Sequence, residues 1–368
     1  AGPVCFPETT EEVQAIMRIA EQHGSAVVPR GAGTGLAGGA IPLGRPVVVS
    51  TGRMNKVLSV DTNNRIAWVQ PGVINLDLSK KLQPKGFHFA PDPSSQQVCT
   101  LGGNVANNSG GPHCLAYGVT DAHVVSLEVV LPDGHVAVLG GAEDETPGLD
   151  LRGAFVGSEG TLGIATKIGV RITPNAPAVR TLLLSFATVR NAAQTVSDII
   201  AAGVVPAALE VMDQRMTVAV ENYVAAGYPT DAAAVLLAEV EGLEGGVEID
   251  AARIEELGRA NSATDVRLAG SEEERAALWK GRKTAFGAVA QIAPDYYLHD
   301  TVVPRAQLAD ILEQIYEITD RHEVTVMNVF HAGDGNLHPL LVFDAREEGT
   351  LERVHAAGAE ILRASLAA

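Results

Sequence analysis

The feature that most constrains this chain is the glycine-dense stretch Pro29-Arg30-Gly31-Ala32-Gly33-Thr34-Gly35-Leu36-Ala37-Gly38-Gly39, which follows a short apolar run at 26–28. Gly33, Gly35 and Gly38 satisfy a GxGxxG spacing. In a doubly wound nucleotide fold that spacing needs a helix starting inside the loop, with its N-terminus facing a pyrophosphate. Pro42, Gly44 and Pro46 forbid such a helix, and no Gly-Lys-Ser/Thr follows to make a phosphate loop. What remains is a long loop whose free N–H groups can form a nest around a diphosphate without a helix dipole. Taken alone, the loop is equally compatible with a glycine-rich surface turn.

Two further clusters favour a ligand. Glycine, 38 of 368 residues, is concentrated at 31–44, 102–118 and 153–169. Pro91-Asp92-Pro93-Ser94-Ser95 and Thr100-Leu101-Gly102-Gly103-Asn104-Val105-Ala106-Asn107-Asn108-Ser109-Gly110-Gly111 are rich in small and amide residues. They are expected to lay backbone and amides against a polar ligand rather than bury apolar surface. Gly157-Ser158-Glu159-Gly160-Thr161-Leu162-Gly163-Ile164 makes a third such approach.

Around these loops the first half reads as short strands at 26–28, 46–50 and 66–69, after an opening helix. That helix starts at a Thr9/Glu12 capping box, repeats apolar residues at Val13, Ile16, Met17 and Ala20, and stops at Gly24. Pro174-Asn175-Ala176-Pro177 breaks any regular element where composition turns from glycine-rich to alanine-rich, so a boundary is placed there, giving domains at 1–173 and 174–368. The second half alternates strands (182–186, 207–212, 235–240) with helices (191–202, one ending at 225, 275–289, 305–322), an α+β layout with helices on one face of the sheet.

With 27 basic against 44 acidic residues the net charge is −17, which excludes long-range attraction to nucleic acid or anionic lipid. No apolar run approaches the roughly 20 residues of a membrane span. Cys5, Cys99 and Cys114 have no CxxC spacing, so an iron–sulfur centre would have to lie on another chain, and their scarcity fits a reducing, cytoplasmic setting.

His331-Ala332-Gly333-Asp334-Gly335-Asn336-Leu337-His338 carries two histidines around a Gly-Asp-Gly-Asn turn. If 333–336 form a four-residue hairpin loop, His331 pairs with His338. Directly opposed β-carbons lie about 4.5–5.5 Å apart, which suits one divalent metal at about 2.0–2.1 Å from each ring. Two ligands do not complete such a site, and turn or core histidines are the alternative.

The motifs at 29–39, 91–95, 101–111, 117–134, 155–167, 279–288, 293–305 and 328–339 together resemble the FAD-linked oxidases of the vanillyl-alcohol oxidase and p-cresol methylhydroxylase type, in particular glycolate oxidase flavin subunits and D-lactate dehydrogenases. The resemblance implies an α+β, two-domain FAD-binding fold of the p-cresol methylhydroxylase type with a C-terminal antiparallel-sheet substrate (cap) domain. It implies FAD with its diphosphate over Pro29, Arg30, Gly31, Ala32, Gly33, Thr34, Gly35 and Leu36. Pro91, Thr100, Gly102, Gly103, Asn104, Asn107, Gly110, Gly111, Tyr117 and Gly118 would lie near the isoalloxazine and ribityl. Glu159, Gly160, Gly163 and Ile164 would lie on the adenine and ribose side. Residues 31–39 contain neither His nor Cys, so non-covalent FAD is expected, with His113-Cys114 the alternative attachment point.

The implied reaction is oxidation of a small 2-hydroxy acid, glycolate or D-lactate, to the 2-oxo acid by hydride transfer to flavin. Arg282 would clamp the substrate carboxylate. His331 and His338, with Asn336 between them, would act on the hydroxyl, the histidines through zinc, iron or manganese. Relatives preferring dicarboxylates carry a Lys where Leu298 stands, so a monocarboxylate is expected. The family's Glu-His-Gly motif, which supplies a third ligand and the general base, is not among these residues, which end at Ala368; the second domain is therefore expected to be truncated. The implied partners are an iron–sulfur subunit and a second flavin-type subunit, at the inner membrane face. A stand-alone D-lactate or D-2-hydroxyglutarate dehydrogenase, or a flavin subunit inactive by itself, are the alternatives.

Overall fold

A computed structural model describes residues 2–141 and 148–368. They divide into two compact units, one running to His113 and resuming at Tyr117–Asn175, the other made of Cys114–Ala116 and Ala176–Ala368.

In the first unit the helix Thr10–Gln22 starts as its sequence dictates. Thr9 Oγ1 accepts from the Glu12 N–H at 3.2 Å, while the Glu12 carboxylate turns back to the Glu8 N–H at 2.6 Å instead of closing the box on Thr9. Gly24, at φ +60°, ends it. Val13, Met17 and Ala20 form its buried stripe. A parallel sheet of Val4–Cys5, Val47–Ser50 and Val27–Arg30 packs nearby. A second, antiparallel sheet runs in the order Val57–Asp61, Ile66–Val69, Ile164–Arg171, Val124–Val130, Val136–Gly140.

The stretch expected to be loop at 101–107 is a helix, Leu101–Asn107. Its N-terminus is capped by Thr100 Oγ1 accepting from the Gly103 N–H at 3.2 Å. Leu101 and Val105, four residues apart, give it an apolar side that is fully buried. Two apolar residues at helical spacing sufficed, although five of the seven are small or amide.

The second unit is built on a nine-stranded antiparallel sheet. Its main path runs Ala263–Leu268, Ala178–Phe186, Ala234–Gly242, Ala208–Asp213, Thr325–His331, Asn336–Leu337, Thr301–Val302, and Pro339–Phe343 pairs with Thr325–His331 and with Asp295–Leu298. The expectation of helices on one face is corrected, because both faces are covered. Leu182, Leu184 and Phe186 face one cluster with Ile199, Ile254 and Ile315 from helices, whereas Leu183 faces another with Met216, Leu278 and Val289. The central strands Ala208–Asp213 and Ala234–Gly242 are buried at nearly every residue and place apolar side chains on both faces, so both faces are covered.

The helix expected over 275–289 is two, Glu272–Lys283 and Ala285–Val289, interrupted at Thr284. The Thr284 hydroxyl donates to Lys280 O at 2.9 Å, a back-bond that bends helices. No helix among the described residues is long and apolar enough to cross a membrane.

Candidate functional site

Four segments converge in the first unit. The strand Val27–Arg30 delivers the glycine loop, and the N–H groups of residues 32–38 find no hydrogen-bond acceptor among the described residues. A Cβ on Gly31 would stand 2.5 Å from Thr100 Oγ1, one on Gly35 would meet the Asn107 amide at 3.4 Å, and one on Gly39 would meet the Glu159 carboxylate at 3.0 Å. The Arg30 guanidinium lies over Gly33.

The third cluster is tied to the new helix: Gly157 N–H donates to Val105 O and Glu159 N–H to Ala106 O, both at 2.8 Å. Gly160, at φ +79°, brings its α-carbon against the Pro29 ring, where a Cβ would lie 2.8 Å from Cγ. On the other side, a Cβ on Gly111 would strike the Asp92 backbone at 2.5 Å. Glycines at these crossings let four backbones approach closely, and the exposed donors of 32–38 fit a diphosphate held by main chain.

Several expected contact residues are also engaged in the scaffold. The Asn104 side chain is buried, accepting from Asn75 Nδ2 at 3.0 Å and facing Cys99, while Asn75 also donates to Pro91 O at 2.9 Å. Ile164 packs its side chain with Val13, Met17, Val49 and Val130. The Asn107 amide donates to Gly103 O at 3.0 Å. Gly102 gives its N–H to Pro71 O, and Gly118 and Gly163 adopt positive φ.

The second unit contributes a different cluster. On the strand Ala208–Asp213 the even-numbered residues face the cluster that holds the helix Glu272–Lys283. Glu210 is one of them, and its carboxylate is fully shielded from solvent. Arg282, only 1% exposed, lays Nη2 2.5 Å from Glu210 Oε2. Gly281 permits this helix to pack closely, since its α-carbon abuts the Tyr228 ring, and the Tyr228 hydroxyl donates to Leu278 O at 2.7 Å.

His331 stands opposite Glu210 on the neighbouring strand, its Nδ1 2.8 and 3.0 Å from the two carboxylate oxygens. The expected hairpin is corrected here. A short 3₁₀ turn, Ala332–Asp334, follows His331, and the partner across the turn is Asn336, not His338. Gly335 at φ +79° closes the turn, which Arg305 braces by donating to Gly333 O at 3.1 Å.

The two imidazoles nevertheless meet, with ring centres 5.1 Å apart and planes perpendicular. Burial, together with the charges of His331 and Arg282, holds His338 well below the usual imidazole range. Its Nδ1 makes no hydrogen bond among the described residues and lies 3.5 Å from Asp300 Oδ1. Arg282 Nε and Nη1 and Asn336 Oδ1 are likewise buried with no partner among the described residues. The expected set Arg282, His331, Asn336 and His338 is thus brought together, around a carboxylate that was not foreseen. Glu210 had one signal in the sequence: a lone acid inside an otherwise apolar strand.

For a metal the residues fall short. No group of three or more His, Cys, Asp or Glu side chains among the described residues could hold an ion, so no step below is routed through one.

Two family models match the chain: that of the FAD binding domain over residues 2–140, and that of the FAD linked oxidases, C-terminal domain, over residues 175–368. The chain belongs to the FAD-linked oxidases. This member of the family is 46% identical to the Escherichia coli glycolate oxidase subunit GlcD, across 98% of its own length and 72% of the relative's. It is 32% identical to a D-lactate dehydrogenase of Anaerostipes hadrus, across 94% and 74%. Its fold matches a substrate-bound p-cresol methylhydroxylase with a TM-score of 0.80 at 16% identity, covering 98% of this chain and 78% of that one. The expected p-cresol methylhydroxylase-type FAD fold is therefore present, and the glycine loop at 29–39 lies within the FAD-binding domain.

Proposed function

We propose that this FAD-linked oxidase oxidises a small 2-hydroxy acid, glycolate or D-lactate, to the 2-oxo acid, as the flavin subunit of a glycolate oxidase. The observation that carries the reading is Arg282: a buried guanidinium with two nitrogens unpartnered calls for an anion. A substrate carboxylate supplies it through charge-assisted hydrogen bonds. His331 keeps its Nδ1 proton on Glu210 and presents Nε2 to the substrate hydroxyl. His338, uncharged, adds a second acceptor beside it.

Residues 1–173 would hold FAD non-covalently, and the flavin would supply the acceptor for a hydride from the substrate's Cα. Residues 174–368 bind and orient the acid. Leu298 packs into the apolar cluster and offers no cation to a second carboxylate, which favours a monocarboxylate. The similarity to a protein named as a subunit supports partner subunits; in this reading they are an iron–sulfur subunit and a second flavin-type subunit that carry the electrons onward, in a cytoplasmic assembly peripheral at the inner membrane face.

A stand-alone D-lactate dehydrogenase is the second reading, favoured by the relative of that name. Anaerobic mixing of the FAD-loaded protein with glycolate, D-lactate, L-lactate and D-2-hydroxyglutarate, following the flavin band at about 450 nm, separates these outcomes. Bleaching by glycolate or D-lactate supports the oxidation common to both readings, and full dye-linked activity of the protein purified without companions supports the second. A flavin that no acid bleaches overturns both.

A further inference from the structure

We propose that Glu210 is a positioning residue for the substrate: one buried carboxylate that sets both the direction in which Arg282 offers its guanidinium and the tautomer of His331. The proposal rests on the reading of Arg282 as the carboxylate-binding group.

Glu210 cannot drift. Its strand is paired on both sides, with Leu237 opposite it on one neighbour and His331 on the other. Its side chain is completely shielded, so an unsatisfied charge there would be costly. Both oxygens are engaged: Oε2 holds Arg282 Nη2, and both oxygens lie within hydrogen-bond reach of His331 Nδ1. Two consequences follow for groups on separate elements. Arg282, anchored at Nη2, has Nε and Nη1 left to donate, and these are the buried atoms without partners. His331, donating from Nδ1, is held in the tautomer whose Nε2 carries the lone pair. A single acid on a central strand thereby aligns a helix-borne cation with a strand-end imidazole.

The test is a double-mutant cycle on the FAD-loaded protein with Glu210→Gln, Arg282→Met and the pair. The readouts are the dissociation constant of oxalate, from its perturbation of the flavin spectrum, and KM and kcat for the 2-hydroxy acid that bleaches the flavin. Glutamine keeps the shape but removes the negative charge and replaces one accepting oxygen by an NH2 group that can only donate. Glu210→Gln is expected to weaken oxalate roughly ten- to a hundredfold, raising KM more than it lowers kcat. In the Arg282→Met background the same change is expected to shift the oxalate dissociation constant by less than about twofold, while any loss of kcat through His331 persists. An equal effect on oxalate binding in both backgrounds, or none in either, overturns the proposal.

Should Glu210→Gln fail to fold, nitrogen-15 spectra of the histidine-labelled wild-type holoprotein decide. A proton on Nδ1 of His331 supports the assignment, and the tautomer protonated on Nε2 alone overturns it. If neither oxalate nor any 2-hydroxy acid binds the wild type, the functional reading fails, while the His331 tautomer still judges Glu210.

Discussion

Glu210 and His331 face each other across two hydrogen-bonded strands, with Nδ1 of the imidazole 2.8 Å from the nearer carboxylate oxygen. The contact is made by register, not by a flexible reach: a one-residue slip would send both side chains to opposite faces of the sheet. Arg282 joins them because its helix packs on that same face. The chemistry of the second unit is thereby set by sheet parity.

Arg282→Met is expected to raise KM for 2-hydroxy acids and lower kcat/KM by about a hundredfold or more, the loss of a charge-assisted carboxylate contact. It also strands Glu210, so stability should fall by about 3–5 kcal/mol. Steady-state kinetics with a dye acceptor and urea denaturation measure the two effects separately. An unchanged KM would remove Arg282 from the substrate site.

Gly160→Ala places a Cβ 2.8 Å from the Pro29 ring at φ +79°. Both features oppose it, and the ring cannot swing aside as a flexible side chain would. A loss of more than about 1 kcal/mol is expected, with the glycine loop pushed from its seat. The flavin-to-protein ratio after gel filtration should drop, and full retention of FAD would contradict the convergence of these loops as the cofactor cradle.

His123 carries a pH signature. Burial depresses its pKa below the usual 6.5, an effect reinforced by the nearby charges of Arg171 and His88 and opposed by its hydrogen bond to the Tyr117 carbonyl. The folded state therefore binds fewer protons than the unfolded chain below that value, and stability falls as pH drops through 6.5 toward the folded pKa. Melting temperatures across pH 5 to 8, roughly bracketing the imidazole range, should show this acid-side loss. His123→Gln, which can still donate to Tyr117 O, should melt with a shallower slope; identical slopes would refute the assignment.

Glu239 is a second fully buried acid, and here the partners are complete. It accepts from Arg275 through both oxygens at 2.9 Å, from Trp279 Nε1 at 2.6 Å and from Thr181 at 2.5 Å. Glu239→Leu should cost about 1–3 kcal/mol, because Trp279 Nε1 and the Thr181 hydroxyl lose their acceptor while Arg275 keeps only Glu272 at 2.9 Å. Because Arg275 and Trp279 anchor the helix that bears Arg282, KM should rise as well. A denaturation midpoint equal to that of the wild type would show the network to be idle.

Much of this was legible in the order of residues. Thr9 and Gly24 bound their helix because caps act within a few residues. Pro42, Gly44 and Pro46 keep the glycine loop from becoming a helix for equally local reasons, and the spacing of small residues announced close backbone approaches. The motifs from 29–39 to 328–339 sufficed to recognise an FAD-linked oxidase. The spacing of His331 and His338 stood out in the sequence itself, and the family resemblance added Arg282 and Asn336.

Tertiary structure decided the rest. Leu101 and Val105 became a helix because a core was available to take them. His331 came to lie opposite Asn336 because the four-residue turn, entered through a 3₁₀ segment, spans 332–335 and not 333–336. Helices cover both sheet faces because strands such as Ala208–Asp213 carry large apolar side chains on each, Leu209 and Val211 on one and Met212 on the other. Glu210 shows the reason most directly. Its partners lie 72 and 121 residues away, and only the pairing of strands and the packing of one helix on one face bring a lone acid, a cation and an imidazole to a common point.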